Sequence, residues 1–209
     1  MHKVGLTGGI AAGKSVVGKM FAALGAQVTQ ADEISHQLML PGEAVYREVV
    51  EHFGAGILDP DGTVNRARLA ELAFGGAGKA SRVEELNQIV HPAVIQRQEE
   101  WIAAVGRRDP HAIAMVEAAL ILEAKMEKGF DRLVVVTCRP EQRIERWAQR
   151  LKVDLERARR EVMRRMAAQL SDEEKIKAAD YVIDNSGPLD ETERQVKKIY
   201  AELEKEVSL

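Results

Sequence analysis

The chain has 209 residues, of which 45% are apolar and 30% are charged, enough for one α/β domain with a sizeable core. A net charge of −3 argues against a general nucleic-acid-binding protein, and no apolar run is long enough to span a membrane. The single cysteine, Cys138, excludes an intrachain disulfide and suits a reducing compartment, so we expect a cytoplasmic protein.

The first feature along the chain is a glycine-rich motif at residues 8–15, GGIAAGKS, which fits the phosphate-binding pattern G-x-x-x-x-G-K-[ST]. An apolar strand precedes it, and an amphipathic helix that ends at Gly25 follows it. We therefore expect the loop N–H groups and Lys14 to bind ATP phosphates and Ser15 to ligate Mg²⁺. The residues expected to contact the nucleotide here are Gly8, Gly9, Ile10, Ala11, Ala12, Gly13, Lys14, Ser15 and Val16.

A long helical region follows a second short strand at residues 26–31. Nearly every segment from about residue 33 to residue 105 shows helical periodicity, with breaks expected at Pro41-Gly42 and at His91-Pro92. Because this region is far longer than a βα crossover needs, the sequence predicts an inserted helical subdomain.

Strand character returns in the second half of the chain. Residues 112–116 form a predicted strand that ends in Glu117, and a helix is expected through residues 120–122. Further strands are predicted at residues 132–138 and 181–184, and the chain closes with an amphipathic helix.

This alternation predicts an α/β fold with a parallel five-stranded sheet flanked by helices, an inserted helical substrate subdomain and a helical lid. We predict a single domain of three parts. These are a nucleotide core (about 1–32, 106–138 and 170–209), the helical subdomain (about 33–105) and an arginine-rich lid (about 139–169). Ligands of such sheets bind at the carboxyl ends of the strands.

Two carboxylates follow predicted strands and each allows two interpretations. Asp32 could accept a proton from an acceptor hydroxyl during phosphoryl transfer, or it could cap the helix that follows. Glu117 could orient Mg²⁺, directly or through water, or it could be a solvated strand end.

The arginine-rich segment also allows two interpretations. Arg143, Arg146 and Arg150 recur at spacings of three and four residues, so they share a helix face. That face could close over the nucleotide and stabilise charge on the transferring phosphoryl group, or it could be solvated. We select Arg146 and Arg150, with Lys14 and Asp32, as candidate catalytic residues.

The chain resembles the dephospho-coenzyme A kinase family, a group of P-loop kinases. The matching segments are residues 5–10, Lys14-Ser15, Ala31-Asp32, His36, Pro41-Gly42, Phe53-Gly54, His91-Pro92, residues 120–123, Gln169 and residues 179–185. The resemblance implies transfer of the ATP γ-phosphoryl group to the ribose 3′-hydroxyl of dephospho-coenzyme A, with Asp32 as the catalytic aspartate. We also assign Asn185, at the end of the last matching segment, to the nucleotide site.

The chain departs from the family pattern at several positions. Gln30 and Glu117 each stand where the family usually has Asp, and Ala11-Ala12 replace Gly-Ser. The alanines are expected to be harmless if both have a negative backbone φ. Another small-molecule or nucleoside monophosphate kinase remains an alternative, as does a non-catalytic nucleotide-binding switch.

Overall fold

The computed structural model describes residues 1–73 and 81–207, which form two compact units. The first unit comprises Met1–Gln30 and the chain from Ile102 onward, and the second comprises Ala31–Trp101. The strands of the described residues are β1 (His2–Gly8), β2 (Gln27–Gln30), β3 (Ile113–Glu117), β4 (Arg132–Thr137) and β5 (Tyr181–Asp184). Their α-helices are α1 (Lys14–Leu24), α2 (Ala31–Leu38), α3 (Ala44–Phe53), α4 (Arg66–Ala73), α5 (Val83–Arg108), α6 (Pro140–Leu151), α7 (Leu155–Ala167), α8 (Asp172–Ala178) and α9 (Leu189–Val207).

The first unit is built on a five-stranded sheet with the strand order β2-β3-β1-β4-β5, in which every pairing is parallel. Parallel strands are buried on both faces, which explains why β3 and β4 are rich in apolar residues and why β1 is buried from Val4 to Gly8. The predicted parallel five-stranded sheet is confirmed.

The register brings chemically distinct strand ends together. Glu117, the last residue of β3, pairs with Leu6 of β1 on one side and with Gln30 of β2 on the other. Gly8 at the end of β1 pairs with Val136 of β4. The phosphate-binding motif therefore begins at the centre of the sheet, beside Glu117.

Packing of α1 and α9 against the sheet builds the core of the first unit. Phe21 of α1 and Val196 and Leu203 of α9 are fully buried in one cluster with apolar strand residues such as Val4 and Val134. Glycine at position 25 ends α1 in the left-handed conformation typical of a helix C-cap.

The second unit has an apolar interior of its own. Val49 and Ile57 are fully buried there, and Phe53 and Leu69 are more than nine-tenths buried in the same cluster. The expected break at His91-Pro92 is wrong, because α5 continues through Pro92. A proline removes one backbone hydrogen bond, and the burial of Val90 and Val94 on either side stabilises the continuous helix.

The expected helix at residues 120–122 is also wrong, since a compact turn occupies residues 119–125. The Lys125 N–H donates to the Leu122 carbonyl oxygen at 3.0 Å, and the Met126 N–H donates to that of Ile121 at 2.9 Å. Lys125 has a φ of +56°, so these bonds form a Schellman motif. The motif closes the segment after one turn, and no longer helix forms.

Among the helices that the structure describes, none combines the length and the apolar character needed to cross a bilayer.

Candidate active site

The phosphate loop connects Gly8 at the end of β1 to Lys14 at the start of α1, and neighbouring groups approach it closely. A Cβ on Gly8 would lie 2.2 Å from the Val136 carbonyl oxygen. A Cβ on Gly13, whose φ is +102°, would lie 2.1 Å from Nδ2 of Asn185. Both positions therefore need glycine, which lets β4 and Asn185 lie directly against the loop.

Ala11 occupies a conformation that alanine rarely adopts. Its φ is +54°, so the condition under which this alanine would be harmless, a negative φ, is not met. The left-handed conformation costs an L-residue about 1–2 kcal/mol, because its Cβ crowds the following carbonyl oxygen. The loop is therefore strained at Ala11.

Lys14, the first residue of α1, extends back across the loop. Its Nζ donates hydrogen bonds to the carbonyl oxygens of Gly8, at 3.2 Å, and Gly9, at 3.4 Å. The ammonium group thus lies over the turn of the loop, beside backbone N–H groups that can receive an anion. Phosphate oxygens are better acceptors for it than carbonyls, because charge-assisted hydrogen bonds are stronger.

Ser15 and Glu117 are brought together by the pairing of β1 with β3. The Ser15 Oγ donates a hydrogen bond of 2.7 Å to Oε1 of Glu117, whose residue is only 7% exposed. A hydroxyl oxygen and a carboxylate oxygen are therefore adjacent at the start of α1, in the arrangement that a magnesium ion accepts. No group of three or more His, Cys, Asp or Glu residues that could hold a metal occurs in residues 1–73 and 81–207.

Asn185 and Arg146 both donate hydrogen bonds to the phosphate loop at Ala12. Asn185 is 3% exposed, and its Nδ2 donates to the Ala12 carbonyl oxygen at 2.9 Å. Arg146 donates from Nη1 to the same oxygen and from Nη2 to the Asn185 carbonyl oxygen, at 3.2 and 2.8 Å. The Oδ1 of Asn185 accepts from the Thr192 hydroxyl at 3.0 Å, so both ends of the Asn185 amide are used within the protein.

A cavity of about 640 Å³ opens beside the loop. That volume lies within the range of pockets that hold nucleotide-sized ligands. It is lined by Ala11, Gly13, Lys14, Ser15, Val16, Arg146, Arg150, Asn185, Gly187, Pro188 and Leu189. The structure thus brings together most of the predicted nucleotide-binding residues and both selected arginines.

Arg150 is held by an aromatic ring. Its guanidinium carbon lies 4.7 Å from the centre of the Trp147 ring, and that of Arg165 lies 4.8 Å from the same centre. Burial lowers the pKa of the Arg165 guanidinium from its ordinary value. Trp147 is 6% exposed, so the ring is a fixed platform that orients Arg150 at the cavity.

Arg143 does not share the environment of the other two arginines. It is 1% exposed and pairs with Asp172 of α8, and it does not line the cavity. Arg143 nevertheless lies against the phosphate loop, because a Cβ on Gly9 would be 2.1 Å from its Nη1, so the shared helix face over the nucleotide stays a prediction. The pairing with Asp172 could not be read from helical spacing, because Asp172 comes from a separate helix.

Asp32 belongs to the second unit. The α2 helix begins one residue earlier, at Ala31, so Asp32 lies in its first turn and does not occupy the N-cap position. Its side chain is exposed, and a carboxylate in a first turn interacts favourably with the helix dipole.

Cys138 lies near the loop without the properties of a reactive thiol. It is buried, and its Sγ lies 3.9 Å from the Ala11 carbonyl oxygen. Burial raises the pKa of the thiol, which outweighs the lowering effect of the nearby Arg143 and Arg146. The thiol stays protonated at neutral pH and acts as a small apolar group.

Comparison with known proteins identifies the family of this chain. The model of the dephospho-CoA kinase family matches residues 2–191. The dephospho-CoA kinase of Aquifex aeolicus is 40% identical over 203 residues, covering 97% of this chain and 98% of that protein. The dephospho-CoA kinase of Leifsonia xyli is 38% identical, with coverage of 97% and 99%.

Solved structures show the same architecture. The structure of TT1252 from Thermus thermophilus superposes with a TM-score of 0.75 at 28% identity, covering 97% of each chain. Dephospho-CoA kinase from Campylobacter jejuni has a TM-score of 0.63 at 22% identity, covering 98% of each chain, and supports the fold. With a family model spanning most of its length, this chain belongs to the dephospho-CoA kinase family.

Proposed function

We propose that the protein transfers the γ-phosphoryl group of ATP to the ribose 3′-hydroxyl of dephospho-coenzyme A, giving coenzyme A and ADP. Family membership supports the acceptor. The observation that carries the phosphoryl-transfer chemistry is the 2.7 Å hydrogen bond between Ser15 and Glu117, at the start of the helix that follows the phosphate loop. This bond supports the proposal because a hydroxyl and a carboxylate oxygen next to a phosphate loop are the kind of ligands that magnesium takes in phosphoryl-transfer enzymes.

Ser15 and Glu117 are the residues that would hold Mg²⁺. Magnesium prefers six oxygen ligands and usually keeps several waters, so two protein oxygens leave positions for phosphate oxygens and water. Glu117 is long enough to reach the Ser15 hydroxyl directly. When bound, the ion neutralises charge on the β- and γ-phosphates.

The remaining roles follow from charge and position. Lys14 binds the β- and γ-phosphates, and the loop amides bind the phosphate oxygens. Arg146 and Arg150 stabilise the charge that develops on the transferring group. Asp32 accepts the proton of the attacking 3′-hydroxyl.

The helical unit is the part that we assign to the acceptor, because it carries Asp32 and offers extended helical surface for a pantetheine arm. Residues from about 139 to 169 act as a lid that orders when triphosphate binds. The enzyme works in the cytoplasm, in keeping with its single, unpaired cysteine.

An ATP-consumption assay with several acceptors tests the proposal. Dephospho-coenzyme A is compared with adenosine monophosphate and with a mixture without acceptor, and the product is analysed for a 3′-phosphate. Turnover that requires dephospho-coenzyme A supports the proposal. Selective turnover of adenosine monophosphate would indicate a nucleoside monophosphate kinase, and tight ATP binding without turnover would indicate a switch.

A further inference from the structure

Gln169 contacts the phosphate loop from outside it. It lies immediately after α7 and its cap residue, and its side-chain Oε1 accepts a hydrogen bond of 3.3 Å from the backbone N–H of Ile10. Ile10 is in the middle of the loop, among the amides expected to face phosphate. A residue near the end of the proposed lid is therefore attached to the place where the triphosphate would bind.

The orientation of the Gln169 amide follows from its chemistry. Only the oxygen of a carboxamide can accept from an N–H group, so Oε1 faces Ile10 and the NH₂ group occupies the other position. Within residues 1–73 and 81–207, Nε2 of Gln169 donates no hydrogen bond to a protein atom, although Oε1 is used. Two N–H donors thus remain next to the loop.

The backbone next to Gln169 is held by contacts that involve two buried cations, Lys175 and Arg143. The Leu170 N–H donates to Oε1 of Glu123 at 3.0 Å, and the same oxygen lies 2.8 Å from Nζ of Lys175, a fully buried residue. Two residues beyond Leu170, Asp172 pairs with the buried Arg143. These contacts hold the backbone on the C-terminal side of Gln169 in place, which leaves the side chain little freedom to leave the loop.

We propose that Gln169 is a catalytic residue whose Nε2 donates a hydrogen bond to the γ-phosphoryl group of ATP, while Ile10 holds Oε1 in place. This inference rests on the proposed phosphoryl transfer. A donor that is already oriented stabilises the charge on the transferring group without a further cost of ordering. The alternative is that Gln169 only tethers the segment after α7 to the phosphate loop.

The variant Gln169→Glu separates the two roles. Glutamate has nearly the same size and its carboxylate still accepts from the Ile10 N–H, but it has no donor at neutral pH. We expect unchanged melting temperature and ADP affinity, with kcat lower by about 100-fold. Gln169→Leu, which removes the tether as well, should also lose turnover.

The pH profile gives a second measurement. Protonation of the introduced glutamate restores an O–H donor, so the activity of Gln169→Glu relative to the original enzyme should rise as the pH falls toward about 4.3, the ordinary pKa of Glu. Because the charge of this carboxylate also repels the phosphates, the neutral variant Gln169→Met, which has neither an N–H donor nor a strong acceptor, is measured alongside. A donor role predicts a large, pH-independent loss of kcat in Gln169→Met at unchanged melting temperature, whereas near-normal turnover of Gln169→Met would overturn the inference.

Gln195→Glu is the matched control. The Oε1 of Gln195 also accepts a backbone N–H, that of Asp184 at 2.9 Å, but Asp184 ends β5 and is not part of the phosphate loop. Because the Nε2 of Gln195 donates to the carbonyl oxygens of Asp184 and Glu191, at 3.0 and 3.3 Å, the melting temperature of Gln195→Glu is measured with its turnover. This variant should keep near-normal turnover. Turnover of Gln169→Glu within about threefold of the original enzyme, or a loss that follows its melting temperature, would overturn the inference.

The original enzyme is assayed in parallel, so that the two proposals fail separately. If it does not phosphorylate dephospho-coenzyme A, the proposed function fails, and the Gln169 variants are then compared with the acceptor that it does use. If it is active and Gln169→Glu is equally active, only the role of Gln169 fails.

Discussion

The two units differ in what they bury. Among the described residues, the buried polar or charged side chains of the first unit are Thr7, Glu117, Arg143, Lys175, Asn185 and Thr192, whereas the second unit buries Gln98. Burying a polar group is costly unless it is hydrogen-bonded. The buried side chains beside the phosphate loop have such partners, since Glu117 accepts from Ser15 and Asn185 bonds to Ala12 and Thr192. The first unit therefore holds a hydrogen-bonded polar interior around the loop, which packing alone does not require.

Polar contacts in the second unit lie mainly at its surface. Arg82 and His52 both contact Glu85. The pKa of Glu85 lies below its usual range, mainly because of the hydrogen bond from Arg82 and, next, because of that from His52. Asn65 caps α4 by accepting from the Arg68 N–H at 3.0 Å. Such contacts support helices without shaping a site, and the residue of this unit that we propose to act in the chemistry, Asp32, is exposed.

Lys14→Ala tests whether the phosphate loop of the first unit carries the chemistry, and it should have the largest effect. Lys14→Ala should lower turnover by about 10²–10³-fold, because it removes charge that stabilises the transition state. Lys19→Ala, an exposed change in the same helix, should leave turnover nearly unchanged. Steady-state kinetics and thermal melts on both variants provide the measurement. Near-normal turnover of Lys14→Ala in a folded protein would disprove the phosphate-loop assignment.

Asp32→Asn tests whether the second unit contributes chemistry at all. Loss of a general base should lower turnover by about 100-fold, while ATP affinity stays the same. The lost interaction with the helix dipole costs about 0.3–1 kcal/mol. Glu33→Gln removes a charge from the same helical turn and should show only this stability effect. Equal activity of the two variants would leave Asp32 with a purely helix-stabilising role.

Glu117→Gln tests the proposed metal site at the carboxyl end of β3. Replacing a residue that contacts a metal only through water or through another ligand typically lowers the metal affinity by about 10-fold or more. We therefore expect the Mg²⁺ concentration for half-maximal turnover to rise by about 10-fold, with a smaller change at saturating Mg²⁺. Glu141→Gln, an exposed change in α6, is the control. An unchanged Mg²⁺ titration would contradict the assignment.

Hydrogen exchange tests the proposed lid. Backbone amides from about residue 143 to residue 165 should exchange several-fold more slowly with a non-hydrolysable ATP analogue than without it, because the arginines gain phosphate partners. Amides in the buried part of α9 serve as an internal reference. Equal protection with and without the analogue would argue against a lid in this segment.

The smallest effect is expected at Ala11. Ala11→Gly relieves the left-handed strain of about 1–2 kcal/mol but adds about 0.5–1 kcal/mol of chain entropy loss, so the free energy of unfolding should rise by up to about 1.5 kcal/mol. Ala12→Gly, at a buried residue whose φ is negative, should lower it by about as much. Urea unfolding of both variants measures the difference, and a destabilised Ala11→Gly would show that the strain is compensated.

Several features were readable from the sequence because they depend on local chemistry. The spacing of Gly8, Gly13, Lys14 and Ser15 suits only a loop that turns tightly before a helix, and the apolar character of β4 suits a buried parallel strand. The family resemblance was confirmed for the same reason, since its motifs keep their order along the chain.

Other features required the tertiary structure because they join distant residues. Helical spacing predicted that Arg143 shares a face with Arg146 and Arg150, but it could not reveal that Asp172 of α8 pairs with this buried side chain. Nothing near Gln169 in the sequence indicates a bond to Ile10. Local patterns set which segments become helices, strands and loops. Packing between elements decides which polar groups lose contact with water, and those groups must find partners wherever the fold supplies them.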